Sequence, residues 1–292
     1  MARHFLTGEE LSAEELSALL DRALELKAGR PAEGAGALDG RSVALFFEKP
    51  STRTRISFEV GVRELGAAAV VLRADELQLA RGESTGDTAR VLSRYLHAIV
   101  IRSGSHDSVV ELAEGGSVPV INALTPAHHP CQALADLMTL RERFGELEGL
   151  RVAYVGDGNN VARSLAVVGG LVGVNVVVAS PPGYELDDPH GAELVADPAG
   201  AAEGADAVYT DVWVSMGDEE EAAARRDALA PYQLNAELLD RAADRAFALH
   251  CLPAHPGEEI TADVLYGDRS AVWDQAENRL HAQKALLELL LG

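Results

Sequence analysis

Ser51-Thr52-Arg53-Thr54-Arg55 places three hydroxyls and two guanidinium groups where an apolar run, Val43 to Phe47, gives way to a stretch of helical period ending near Gly66. Ser51 is suited to cap that helix. The N–H groups of its first turn and the hydroxyls of Ser51, Thr52 and Thr54 can then converge on one anion. Arginines in a first helical turn oppose the macrodipole unless an anion offsets them; two solvated surface arginines are the alternative. His128-His129-Pro130-Cys131-Gln132 pairs two histidines in a segment that by itself reads as a loop feature. A metal is a second reading of the paired histidines, but no further His or Cys at ligand spacing supports zinc. Gly156-Asp157-Gly158-Asn159-Asn160-Val161 follows an apolar run and has the look of a dinucleotide fingerprint. Val161 stands where the third glycine belongs, and two amides in the turn suit an α-carboxylate and α-amino group better than a pyrophosphate. His250-Cys251 suggests a thiol nucleophile with its base, yet neighbours in an extended segment point to opposite sides.

The elements that must hold these residues are short apolar runs alternating with longer helical stretches, the pattern of parallel α/β structure. Strands are expected at Val43 to Phe47, Ala68 to Leu72, His97 to Ile101, Val118 to Ile121, Arg151 to Val155, Val174 to Ala179, Ala207 to Tyr209 and Phe247 to Leu249. Helices are expected at Thr52 to Leu65, Asp87 to Leu96, Cys131 to Phe144, Val161 to Leu171, Ala236 to Ala243 and Asp274 to Leu291. The strands fall into two sets of four, which predicts two doubly wound parallel-sheet domains with the active site in the cleft between them, at the carboxyl ends of strands. Leu280, Leu286, Leu287 and Leu290 form a stripe that packs the C-terminal helix back on the first domain. Ala28 to Gly40 and Ala196 to Ala207 read as surface connections.

Composition narrows the partners. The chain has 292 residues, with Lys+Arg 25 against Asp+Glu 46 and a formal net charge of -21. A nucleic-acid or anionic-membrane binder needs a basic footprint, so neither partner is expected. The longest apolar stretch, Leu165 to Ala179, is interrupted by glycines and Asn175 and is too short to span a bilayer. The N-terminal MARHFLTGEELSAEEL turns polar and acidic at once, unlike a secretory signal, and a cytoplasmic location is expected. Cys131 and Cys251 are expected to be free thiols. The run Asp218-Glu219-Glu220-Glu221 reads as a solvated helix start.

Taken in order along nearly the whole chain, these motifs resemble the aspartate and ornithine carbamoyltransferase family. The Ser51 to Arg55 run looks like that family's carbamoyl-phosphate loop, which implies phosphate contacts from Ser51, Thr52, Arg53 and Thr54 with Arg55 in support. Ile99-Val100-Ile101-Arg102 is a second family feature, and Arg102 is implied to reach the phosphate and the carbamoyl oxygen. The resemblance to the His-Pro-x-Gln motif gives His129 the carbamoyl oxygen and Gln132 the carbamoyl NH2, with Pro130 and Cys131 in the same site. Gln78, in Glu76 to Ser84, is implied to enter the site of a neighbouring subunit, hence a homotrimer with shared active sites or a higher multiple of trimers; by itself the segment reads as a surface loop.

Asn159 and Asn160 are assigned by the same resemblance to the amino-acid substrate. Asp211-Val212-Trp213-Val214-Ser215-Met216-Gly217 resembles the ornithine-using members, with Asp211 and Ser215 on the α-amino end and Met216 in contact through its backbone. An aspartate-using member would need basic residues there. Cys251 is implied to act noncovalently near the δ-amino group, the Leu252 carbonyl to face the carbamoyl nitrogen, and Arg279 to add a positive donor to carbamoyl phosphate. The implied catalytic set is Arg102, His129, Asp211 and Cys251, with no metal and no organic cofactor. The implied reaction moves the carbamoyl group of carbamoyl phosphate to L-ornithine, giving L-citrulline and phosphate. Asp211 and Cys251 are expected to lower the cost of obtaining the neutral amine. The implied domains are 1–135, joined by the helix 275–292, for carbamoyl phosphate and 136–274 for ornithine. A carbamoyltransferase for a different amine or amino acid, which should lack Ser215-Met216-Gly217, and a catalytically silent metabolite-binding homologue remain as alternatives.

Overall fold

Apolar residues on both faces of a strand demand cover on both sides, and Val43 to Phe46 are all buried in β1 (Ser42–Phe47); such a strand belongs inside a sheet. A computed structural model, which describes residues 2–49, 51–73, 82–214 and 219–292, places it there. The chain divides into two units, 1–138 with 278–292, and 139–277.

In the first unit β2 (Ala68–Arg73), β3 (Ala98–Arg102) and β4 (Val120–Leu124) join β1 in a parallel sheet of order β2-β1-β3-β4. Only partly buried along its length, β2 takes an edge. Helices α1 (Ala13–Ala28), α2 (Thr52–Glu64), α3 (Thr85–Leu92), α4 (His106–Gly115) and the start of α5 (Pro130–Phe144) complete this part of the chain. The second unit orders β5 (Arg151–Val155), β6 (Asn175–Ala179), β7 (Glu193–Val195), β8 (Ala207–Thr210) and β9 (Phe247–His250) as β7-β6-β5-β8-β9, again parallel. With them run α6 (Asn160–Leu171), α7 (Pro198–Ala202), α8 (Ala222–Leu229), α9 (Ala236–Leu239), α10 (Ala262–Leu265) and the opening turn of α11 (Val272–Leu291). Among the described residues no helix is long and apolar enough to cross a membrane.

Each sheet reverses its winding once, between β1 and β3 in the first unit and between β5 and β8 in the second. Ligands of open α/β sheets bind beyond the carboxyl ends of the strands flanking such a switch point. The segments that leave these four strands are those of Ser51, Arg102, Asn159 and Asp211.

Several expectations need correction. The second sheet has five strands, since β7, three largely exposed residues at an edge, has no apolar run to announce it. Helix α1 precedes the first expected element, although Ser12 and Glu15 close a reciprocal capping box on it; α4 fills the gap between the third and fourth strands, as the alternation implies. The stretch Ala196 to Ala207 contains α7, and Ala201, Ala202 and Ala205 are buried in the core. Alanines pack closely without giving a strong hydrophobic period. The helix expected to reach Leu96 ends at Leu92, where Ser93 Oγ donates to the Ala89 carbonyl; the one expected to reach Ala243 ends at Leu239.

The last turns of α11 lie against α2. A Cβ at Gly61 would stand 3.2 Å from Lys284 Cγ and 3.4 Å from Leu280 Cδ1, so glycine allows the close approach. Lys284 is fully buried, and its ammonium lies 3.0 Å from Glu64 Oε2. Burial pushes the Glu64 carboxyl up, but hydrogen bonds from Lys284 and Arg30 outweigh it and hold its pKa below the ordinary range. Removing one member of such a pair strands the other charge. Glu64→Ala should therefore cost about 3–5 kcal/mol in denaturant unfolding, while Glu64→Leu with Lys284→Met should recover most of that loss.

Candidate functional site

The turn after β1 differs from its sequence expectation in one atom. Ser51 occupies the N-cap position of α2 in extended conformation, but its side chain makes no capping hydrogen bond. Its Oγ instead accepts from Arg102 Nη1, at the end of β3, at 3.4 Å. No acidic residue stands in the first turn of α2. Arg55 pairs with Glu59 at 3.4 Å, whereas the exposed Arg53 has no carboxylate partner among the described residues. Thr52 is exposed and Thr54 buried.

Thr54 is buried because Arg279 covers it. The Arg279 guanidinium, 3 % exposed, donates from Nη2 to Thr54 Oγ1 at 2.8 Å and from Nη1 to Gln132 Oε1 at 2.5 Å. Nη1 also faces His129 Nε2 at 3.3 Å. Guanidinium nitrogens have no acceptor, so His129 Nε2 accepts and the ring proton sits on Nδ1. Burial, then the charges of Arg279 and Arg102, hold the His129 pKa well below the ordinary imidazole value. His129 is thus a neutral donor at pH 7. Gln132 Nε2 donates to the fully buried Asp136 at 2.8 Å. Pro130 opens α5. The Cys131 thiol donates to the Asn122 carbonyl at 3.4 Å, and burial pushes its pKa up to about 12.

In the second unit, the turn after β5 uses its glycines for the protein itself. Gly156 is left-handed at φ 133°, and a Cβ at Gly158 would lie 2.5 Å from Leu186 N. The backbone that approaches Gly158 is therefore that of Tyr184 to Leu186, and Gly158 N–H donates to the Tyr184 carbonyl at 2.7 Å. Asn159 caps α6, its Oδ1 accepting from the N–H groups of Val161 and Ala162 and from Tyr154 Oη. Its Nδ2 donates to Asp211 Oδ2 at 2.9 Å, and the Cys251 thiol donates to Asp211 Oδ1 at 2.8 Å. Burial, with Asp211 and Cys251 nearby, holds the Tyr154 phenol well above its usual pKa, so it stays a donor. Asn160 is the first residue of α6 and half-buried.

His250 and Cys251 take different partners. His250 Nε2 donates to Glu259 Oε1 at 3.0 Å with both side chains fully buried, while its Nδ1 accepts the Leu252 N–H at 2.9 Å. Leu252 is left-handed at φ 60°, a costly conformation for leucine that this hydrogen bond helps to hold. One ligand-capable atom each of Asp211, His250 and Cys251 lie within 4.8 Å of one another, but both His250 ring nitrogens are engaged within the protein.

Within the first unit, then, Arg102 meets Ser51, and Arg279 joins Thr54, His129 and Gln132. The second unit joins Asn159, Asp211 and Cys251, with Leu252 next in chain. Gln78, Ser215 and Met216 lie outside the described residues. Asp136 and Glu259 were not among the expected functional residues. An acid four residues after Gln132 on a helix is the one signal that could have found the first; nothing local marks the second.

Two parallel α/β units, one with cations gathered at strand and helix ends and the other with a carboxylate–thiol pair, define a two-domain transferase architecture. The chain belongs to the aspartate/ornithine carbamoyltransferase family: residues 3–142 match the family's carbamoyl-P binding domain and residues 148–290 its Asp/Orn binding domain. An ornithine carbamoyltransferase of Acidothermus cellulolyticus is 57% identical over 100% of this chain and 97% of its own. Among solved structures, the ornithine carbamoyltransferase of Pyrococcus furiosus superposes with a TM-score of 0.95 at 48% identity, covering 100% of this chain and 97% of that one. That of Thermus thermophilus gives 0.93 at 44% identity, covering 100% of both.

The His129 environment generates a test. Arg279→Met removes one of the two cations that lower its pKa, so NMR titration should place the His129 pKa higher in the variant than in the wild type; an unchanged value would contradict the geometry. In the wild type, an unfolded histidine binds a proton near pH ~6.5 that the folded ring refuses. This residue therefore contributes a loss of stability as pH falls below that value.

Proposed function

We propose that this enzyme transfers the carbamoyl group of carbamoyl phosphate to the δ-amino group of L-ornithine, releasing L-citrulline and phosphate. The observation that carries the phosphate half is Arg53: an exposed guanidinium without a carboxylate partner among the described residues, in a chain where acids outnumber bases 46 to 25, at a helix start whose Ser51 hydroxyl is turned to Arg102 instead of capping. In this reading Ser51, Thr52, Arg53 and Thr54, with Arg102, form the phosphate cradle, and the departing charge meets cations and helix N–H groups already in place.

His129 is neutral and Arg279 charged, so the pair supplies donors to the carbamoyl oxygen as the tetrahedral intermediate forms. Gln132 takes the carbamoyl NH2 through Oε1, beside Pro130 and Cys131. The ornithine half draws on Asp211, Asn160, Ser215 and Met216, with Asn159 acting through Asp211. A lysine-like amine has a pKa near ~10.4, so only about one molecule in a few thousand is neutral at pH 7. Asp211, which accepts from the Cys251 thiol, stands to take the proton that the ammonium loses, so the neutral amine forms at the site of attack. The Leu252 carbonyl faces the carbamoyl nitrogen. The working form is a cytoplasmic homotrimer to which Gln78 brings a neighbour's contribution, and light scattering gives its mass.

Citrulline formation, assayed with ornithine, putrescine and aspartate offered separately, should appear with ornithine alone; product from another acceptor, or none, overturns the assignment. Arg53→Gly should lower kcat/KM for carbamoyl phosphate at least about 100-fold with an unchanged thermal midpoint. Cys251→Ala should lower kcat about 100-fold and displace the pH profile for ornithine; unaltered ornithine kinetics would remove Cys251 from the mechanism.

A further inference from the structure

The side-chain amide of Gln132 is held at both ends. Arg279 Nη1 donates to its Oε1, and its Nε2 donates to Asp136 Oδ1 one helical turn later on α5. Gln132 is 1 % exposed, Asp136 0 % and Arg279 3 %, so no solvent competes for these bonds. Rotating the amide by half a turn would set its NH2 against a guanidinium that has only donors, and its oxygen against a carboxylate. The orientation follows from the partners: oxygen toward Arg279, nitrogen toward Asp136.

The two restraints are unequal once substrate enters. On the reading proposed above, on which this inference rests, Arg279 is shared with carbamoyl phosphate, and a bound anion competes with Gln132 for its N–H groups. Asp136, fully buried four residues further along α5, is bonded to the other end of the amide. Gln132 Oε1 has two lone pairs, one for Arg279 and one for a donor on the substrate. We propose that Asp136 is a positioning residue for substrate selection: by fixing the amide of Gln132 it keeps an acceptor facing the substrate's NH2 and so favours carbamoyl phosphate over acyl phosphates that carry a methyl group at that place. A buried acceptor built for an N–H rejects the analogue that lacks one, because the acceptor is then left unpaired.

Acetyl phosphate differs from carbamoyl phosphate in that group, and inorganic phosphate lacks the acyl part altogether. The test compares the KM for carbamoyl phosphate with the inhibition constants of acetyl phosphate and inorganic phosphate, in the full-length wild type, Asp136→Ser and Asp136→Asn. Serine is too short to reach Gln132, and the preference for carbamoyl over acetyl phosphate should fall about tenfold. Asparagine can turn its own amide and accept either orientation of Gln132, so the fall should be smaller, about threefold. Inhibition by inorganic phosphate should be unchanged in both variants, a result that general loosening of the fold would not give. An unchanged preference in either variant, or equal weakening of all three ligands, overturns the role of Asp136. A wild type that does not distinguish carbamoyl from acetyl phosphate would instead remove the reading of the site on which the inference rests.

Discussion

Burying a guanidinium is the most demanding thing the first unit does, and much of that unit answers to it. A cation taken out of water costs several kcal/mol unless every donor finds an acceptor and some negative charge lies near. The Nη1 and Nη2 groups of Arg279 find acceptors in Thr54 from α2, His129 from the segment before α5 and Gln132 from α5 itself, and Gln132 passes the compensation on to Asp136. These partners lie far from residue 279 in sequence, so the last helix has to return to residues folded much earlier. Gly61 and the Lys284–Glu64 pair show how it does so: a missing side chain admits the helix, and a second buried cation, paired in its turn, fixes its register.

The same constraint explains why the histidine beside Arg279 is neutral. A second charge there would face two arginines inside a buried site, and the imidazole answers by giving up its proton. One cation and one neutral donor can both serve a carbonyl oxygen, and the neutral one does so at any pH near 7. The second unit uses the opposite set: an amide cap, a carboxylate and a thiol, with a phenol kept protonated beside them. An anion and an ammonium require this division, and Ser51 with Arg102 in the first unit and Asn159 with Asp211 in the second stand beyond the strands where each sheet reverses direction.

How much of this could be read from the amino acids depends on whether the governing contact is local. The parallel α/β class, the strands β1, β5 and β6 and the turn at Ser51 to Arg55 rest on runs of neighbouring residues and were legible. Strand β7 was not, because three largely exposed residues at an edge need no long apolar run. Ser51 was legible as a cap by residue type and position, yet its hydroxyl turns to Arg102, a choice made by a strand fifty-one residues away. The glycines of Gly156 to Val161 imitate a dinucleotide turn because tight turns of any purpose need left-handed residues; only the backbone of Tyr184 to Leu186 lying on Gly158 shows which purpose applies. Arg279 was legible through family resemblance alone, and Asp136 and Glu259 not at all, because a buried carboxylate looks in sequence like any solvated acid.

That last point bears on the charge of the chain. With 46 acids against 25 bases, a surface arginine can find a carboxylate close by, as Arg55 does with Glu59 and Arg90 with Asp87. Such pairs are individually worth little, but they show what the local supply of acid permits. Arg53 is exposed in the same turn as Arg55 and has no such partner among the described residues, and the first turn of α2 holds no acid at all. The absence of acid from this turn leaves its positive charge uncompensated where a small anion would dock, while the surplus elsewhere keeps polyanions away. Net charge thus describes what the surface repels, and the placement of a few arginines, exposed like Arg53 or buried like Arg279, describes what the site admits.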